Sequence, residues 1–323
     1  MICLRNRFFT TSSRRYFIIY SLAIIFLSFQ FLLLGQFISF SGGYSHKGVD
    51  DLGVKKYNAG QGIDTAIIIT SSWIPSHPST YMVKMVVDSI AVLITELHPA
   101  TPIFITVDQF LLNGNTNITQ IQERSRSLDQ YVLNLYNLYL KDPYVHVLPF
   151  MTHSHIAGSV AKALDVIKKQ YPLTKYLYYL QHDFYFAKAF DHSSLVRAME
   201  THENINYILF VKGGLLRRIK PCGKELTIDL DTLDRVARND TNIASDSTKR
   251  LLLPTATYSD NNHLVRFDWY KETIESLISL TRAPENPLQN LANDGCRSGK
   301  SMGLYAYDDD GLIKHLDGRE QGA

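Results

Sequence analysis

Residues 176–186 read YLYYLQHDFYF, an apolar, aromatic run that breaks off at His182-Asp183 and then resumes. A carboxylate at the carboxyl end of a buried strand costs several kcal/mol unless something pairs with it. In open α/β sheets, ligands bind in the crevice outside the strand C-termini. Asp183 therefore marks a candidate site; the competing possibility is a helix cap or a salt-bridged strand end.

Working outward, strand and helix signals alternate. Residues 65–70, TAIIIT, form a β-branched run of the kind that is buried on both faces, and 102–107, PIFITV, form a second strand ending at Asp108. Residues 145–149 and 177–180 read as further strands. Helical spacing covers 81–97, 129–140 and 158–170. Downstream, 207–212, 251–255 and 264–268 read as strands and 270–280 as a helix, while 220–250 is polar and irregular. Residues 303–307 and 313–315, around Asp308-Asp309-Asp310-Gly311, read as a hairpin. This alternation predicts an α/β fold with a central mixed, mostly parallel sheet covered by helices on both faces.

The 323 residues are 45% hydrophobic and 20% charged with a net charge of +2, an ordinary globular composition. No basic stripe with interleaved aromatics occurs, so no nucleic-acid partner is expected. Residues 1–15 carry Arg5, Arg7, Arg14 and Arg15 and no acid, and 16–40 run without a charge, long enough to cross a bilayer core of about 30 Å as one helix. The arginines orient the amino end to the cytoplasm. The expected organisation is a cytoplasmic tail (1–15), a transmembrane signal anchor (16–40), a stem (41–62) and a lumenal domain (63–323); a cleaved signal peptide is the alternative. Sequons at Asn117 and Asn239 agree with a lumenal placement. Cys222 and Cys296 are the only lumenal cysteines, open either to one disulfide or to two separate buried thiols.

Several constellations carry possible chemistry. Hard divalent cations take carboxylate oxygens, and a cation on a diphosphate needs only one or two ligands from the protein, so Asp183 suits a metal–diphosphate. In the tail HLDGR, His315 is a competent imidazole ligand and Arg319 suits a phosphate. Ser71 and Ser72 after the first strand and Asp108 after the second would face a nucleoside, although Asp108 equally suits a cap for the next turn. His153 and His155 lack a carboxylate or thiol at ligand spacing, which argues against zinc; Gly158 and the small residues after it suit a helix end approaching a phosphate or the sheet. Asp260-Asn261-Asn262-His263 and Phe267-Asp268-Trp269-Tyr270 suit sugar recognition or an ordinary strand–turn–helix passage. Asp260, Asp268 and Asp294 are the candidate general bases.

Taken in order, these parts resemble a type II Golgi membrane glycosyltransferase of the GT-A fold (nucleotide-diphospho-sugar transferases). Gln181-His182-Asp183 resembles the DxD-type element, whose final acid holds the metal–diphosphate. The resemblance assigns Asp183 and His315 to Mn²⁺ or Mg²⁺, and Ser71, Ser72, Asp108, Gly158, His182 and Arg319 to the donor. It implies a sugar passing from a nucleotide-sugar to a hydroxyl of a glycan or glycoprotein. The first acid of DxD is replaced by Gln181, which leaves two alternatives: an inactive GT-A-like protein that binds glycans or partners, and a lumenal metal-dependent hydrolase.

Overall fold

The computed structural model describes residues 63–74, 77–110, 117–213, 216–222, 226–238, 249–278 and 285–316. The expected membrane span, the stem, the Asn239 sequon and Arg319 lie outside them. Among the described residues no helix is long and apolar enough to cross a membrane.

In chain order the elements are β1 (Thr65–Ser72), α1 (Tyr81–Leu93), β2 (Ile94–Thr95), β3 (Ile103–Asp108), α2 (Ile118–Tyr139), β4 (Val145–Pro149), α3 (His155–Gln170), β5 (Tyr176–Gln181), β6 (Phe184–Phe186), β7 (Phe190–Asp191) and α4 (His192–Thr201). They continue with β8 (Tyr207–Phe210), a 3₁₀ turn (Leu216–Arg218), β9 (Ile228–Asp229), α5 (Leu230–Arg238), β10 (Leu251–Pro254), β11 (His263–Arg266), α6 (Phe267–Ile278), α7 (Glu285–Ser298), β12 (Leu304–Tyr307) and β13 (Ile313–His315). The main sheet runs β4-β3-β1-β5-β11-β8-β12-β10-β9. Its β4-β3-β1-β5 half is parallel throughout. Beyond β5 the pairings are antiparallel except β8 with β12. The sheet is therefore evenly mixed, not mostly parallel.

Both faces of the sheet are covered. Along β1, Ile67 and Ile69 join a core built with α1, α2 and α4, whereas Ala66 and Ile68 join a second core built with α3, α6 and α7. That alternation is the pleat expressed in packing, and it explains why the β-branched run shows no polar face. In α1, Val83, Val86, Val87 and Ile90 recur at helical spacing and are buried.

Several boundaries differ from the sequence-based expectation. The helix predicted over 81–97 ends at Leu93, because Ile94 is buried in a parallel pairing of β2 with β7. The helix predicted from 129 begins at Ile118: Asn117 caps it, its side chain accepting from the Thr119 N–H at 2.9 Å, and the first turns are too exposed to show an apolar period. Helix α7 was not predicted; only Leu288 and Ala292, four residues apart, are buried along its polar sequence. One disulfide joins Cys222 to Cys296, on α7, with Cα atoms 5.6 Å apart, which excludes two separate thiols.

The predicted carboxy-terminal hairpin does not form. Strand β12 enters the main sheet between β8 and β10, while β13 pairs antiparallel with β6, setting His315 opposite Phe184. Gly303 makes the entry to β12 possible: its φ is +72°, and a Cβ there would lie 1.8 Å from the Asn204 carbonyl oxygen.

Candidate active site

The carboxyl ends of β1, β3 and β5 and the start of α3 enclose a cleft of about 150 Å³. Thr70, Ser71, Ser72, Thr106 and Asp108 line it from β1 and β3; Ile156 and Ser159 come from α3, and Gln181, His182 and Asp183 from the end of β5. It is the crevice at strand C-termini where the sheet changes from parallel to antiparallel pairing, the place where α/β folds hold ligands.

Asp183 and His315, 132 residues apart in sequence, meet here. His315 Nε2 lies 3.0 Å from Asp183 Oδ2, and the Leu316 N–H donates to the Asp183 carbonyl at 2.7 Å. The β6–β13 pairing positions the imidazole, and the Phe184 ring packs against it with centroids 4.8 Å apart. Asp183 Oδ1 is buried with no hydrogen-bond partner among the described residues. A buried carboxylate oxygen left without a donor is costly and is the sort of atom a ligand satisfies.

These two side chains fit a divalent cation as a two-point hold. One carboxylate oxygen lacks a partner among the described residues, and the imidazole nitrogen beside the other is a competent metal ligand. Among the described residues no group of three or more His, Cys, Asp or Glu side chains could hold a metal, so the remaining positions would belong to phosphate oxygens and water.

His182 is neutral. Its Nδ1 and its backbone N–H both face the Thr70 carbonyl, at 3.2 and 3.0 Å, so Nδ1 carries the proton and Nε2 can only accept. Burial lowers its pKa, outweighing the neighbouring Asp183. His77 nearby is pushed down to about 3 by burial and by His182.

The structure separates the three candidate bases. Asp260 is not itself a lining residue but adjoins the cleft: its carbonyl accepts at 3.0 Å from Nε2 of Gln181, which does line it. Burial, together with the charges of Glu285 and Asp183, raises its carboxyl pKa to about 6. Asp268 is at the other end. It opens α6 beyond Arg266, whose partner is Tyr176 at the amino end of β5, about 16 Å along the strand from Gln181. There it is exposed and pairs with Lys168. Asp294 is exposed, pairs with Arg297, and sits nine residues along α7 from Glu285, about 14 Å of helix away. Neither of these two lines the cleft.

Other expectations need correction. Asp108 lines the cleft, but Oδ1 accepts from the N–H groups of Gln109 and Ser154 and Oδ2 faces His153 Nδ1 at 3.1 Å. The carboxylate thus braces the turn into α3, where His155 takes a φ of 55°. Ser71 lines the cleft, but its hydroxyl bonds Tyr131 at 3.0 Å. Gly158 does not line the cleft; a Cβ there would meet Ser154 at 3.0 Å, and Ser159 is the cleft residue, its buried hydroxyl unpartnered among the described residues. Asn262, His263, Phe267 and Tyr270 are buried and cannot present a sugar platform. His263 stacks on Tyr179 within a tyrosine cluster, and burial holds its pKa down to about 3. Thr70, Thr106 and Ile156 were not anticipated, whereas Ser159 belongs to the small-residue run after Gly158; single hydroxyl or apolar residues at element ends form no motif.

No family model matches the sequence, and no curated relative matches it. Among solved structures the fold is similar to Staphylococcus aureus TarS 1–349 in complex with UDP (TM-score 0.41, 11% identity, covering 76% of this chain and 59% of that one). It is also similar to GalNAc-T7 with UDP, GalNAc and Mn²⁺ (0.44, 10%, 80% and 44%). A third is 4-diphosphocytidyl-2C-methyl-D-erythritol synthase from Anaerococcus prevotii (0.35, 8%, 72% and 85%). The chain spans less than two thirds of the length of the first two. Likenesses this distant carry no argument about donor, acceptor or metal. The architecture, read from its own strand order, is mixed α/β with a central mixed sheet.

Proposed function

We propose that this chain is a nucleotide-sugar glycosyltransferase that binds the donor in the cleft at the ends of β1, β3 and β5. The observation that carries the reading is Asp183: a half-buried carboxylate lining that cleft, with one buried oxygen that has no hydrogen-bond partner among the described residues and an imidazole at the other. The hydroxyl-lined strand ends suit a nucleoside, and the Asp183–His315 pair suits the diphosphate end, with Mn²⁺ or Mg²⁺ held between them. When bound, the metal supplies Lewis-acid stabilisation of the departing diphosphate.

The residues of the chain do the rest. Neutral His182 offers Nε2 as an acceptor to a donor hydroxyl. Asp260, with a pKa near 6, is ionised at neutral pH yet basic enough to take the proton of the acceptor hydroxyl as the new glycosidic bond forms. Asp260 in this role implies inversion at the sugar carbon. A glycan or glycoprotein hydroxyl is the proposed acceptor, and a Golgi membrane the proposed location, with residues 16–40 as a type II anchor and 63–323 as the lumenal catalytic domain.

Thermal-shift titration of the protein with nucleoside diphosphates and Mn²⁺ tests the donor site. A ligand that binds only the folded state at a hundred times its Kd adds about 2.7 kcal/mol of stability. The expected result is a concentration-dependent rise with at least one nucleoside diphosphate, absent in Asp183→Ala; no rise with any of them would refute the reading.

A further inference from the structure

Gln181 stands where the resemblance places an acid, and its side chain is already engaged. Its Nε2 donates to the Asp260 carbonyl at 3.0 Å. Its backbone N–H donates to Asn262 Oδ1 at 3.0 Å, and Asn262 Nδ2 donates to the Phe184 carbonyl at 2.9 Å. Asn262 is fully buried, and its one amide bonds the backbone on both sides of His182-Asp183. The cause is topological. Strands β5 and β11 pair through His263 and Tyr179, and the ladder stops where β5 turns away at His182. The Asn262 amide then satisfies an N–H and a carbonyl that the missing ladder would leave bare.

The rest of the 258–262 loop is fixed from behind. The Tyr207 hydroxyl donates to the Ser259 carbonyl at 2.6 Å, and the Gln289 side chain accepts from Tyr258 N–H and donates to the Ala256 carbonyl. Asp260 thus sits in a loop tied to the Asp183 turn.

Resting on the proposed transferase reading, we infer that Gln181 and Asn262 are positioning residues: their amides lock the loop carrying Asp260 to the turn carrying Asp183, fixing the spacing between the proton acceptor and the diphosphate end. Gln181 acts through its donor N–H and is no ligand to a cation. An acid at this position would set carboxylate oxygen against the Asp260 carbonyl oxygen and break the tie.

Two measurements on the full-length protein test this. In hydrogen–deuterium exchange, Gln181→Leu should speed exchange of the 256–263 segment about five- to tenfold, the worth of one lost hydrogen bond, with β1 and β3 unchanged. Unchanged exchange there, or a uniform rise across all strands, would overturn the tether. In steady-state assays with nucleotide-binding stoichiometry as the active-site count, Gln181→Leu and Gln181→Glu should both lower kcat about tenfold, with donor Kd held within about twofold. A Gln181→Glu variant that binds Mn²⁺ more tightly or turns over faster would show position 181 to be a ligand position and sink the inference. Should wild type transfer sugar from no donor, the transferase reading fails while the exchange result still decides the tether. Asn262→Leu, if it folds, should repeat the exchange result more strongly; if it does not fold, Gln181→Leu decides alone.

Discussion

Replacing Asp260 by asparagine should make the protein more stable above pH 6 and leave its stability unchanged below pH 4. Burial and the charges of Glu285 and Asp183 lift this carboxyl from 3.8 to about 6, so the folded state favours the protonated form. Below pH 4 the group is protonated in both folded and unfolded chains and costs nothing. Between about pH 4 and 6 the unfolded chain releases the proton while the folded one keeps it, and stability falls until the folded group also ionises. Two pKa units at about 1.4 kcal/mol each, reduced for partial solvent contact, put the loss at about 2 kcal/mol. Asparagine keeps the shape and the backbone carbonyl that Gln181 uses but never ionises. Urea denaturation at pH 3 and pH 8, comparing wild type with Asp260→Asn, should show a gain of about 2 kcal/mol at pH 8 and almost none at pH 3. Glu285→Gln in the wild-type background should recover part of that gain. Equal stability of the two proteins at both pH values would refute the claim that Asp260 is desolvated among like charges, and with it the basis for choosing this acid as the base.

The same ionisation gives a kinetic expectation of opposite benefit: kcat should climb with pH through about 6 as Asp260 deprotonates, a limb that Asp260→Asn removes together with most of the activity. A pH–kcat series with the preferred donor reads it directly. Gly303→Ala should destabilise the fold by about 3 kcal/mol or more or prevent folding, because the left-handed φ and the Asn204 carbonyl leave no room for a methyl group; circular dichroism on heating checks it. Cys222→Ser with Cys296→Ser should lower stability by roughly 4 kcal/mol on the loop-entropy estimate for a separation of 74 residues, measured by urea denaturation against the oxidised wild type.

Much of the architecture was legible because the parallel strands are buried on both faces: TAIIIT, PIFITV and YLYYLQ show as unbroken apolar runs, and each ends at a polar residue of the cleft. The ends of β1, β3 and β5 therefore announced Ser71, Asp108 and Asp183. What sequence could not show was direction after that point. Asp260, Asp268 and Asp294 look alike in one dimension; the structure differs among them in leaving Asp268 and Asp294 exposed and paired with Lys168 and Arg297 while Asp260 is half-buried beside Gln181. The β12–β13 segment illustrates the same limit. Its two strands flank a good turn, yet the vacancy beside β8 and the edge of β6 each compete successfully for one of them. Tertiary pairing of this kind outweighs local propensity, and here it carries His315 to Asp183. Asn262 hid for another reason, since a buried asparagine serving two backbone groups has no sequence signature apart from its place beside other polar residues.

The most direct test follows nucleoside diphosphate release from a panel of UDP- and GDP-sugars with Mn²⁺ and glycan acceptors, comparing wild type with Asp183→Ala. The account predicts acceptor-dependent release from at least one donor by wild type, reduced about a hundred- to a thousandfold in the variant while its circular dichroism and melting stay those of a folded protein. Release that survives undiminished in Asp183→Ala, or no release from any donor, would contradict it.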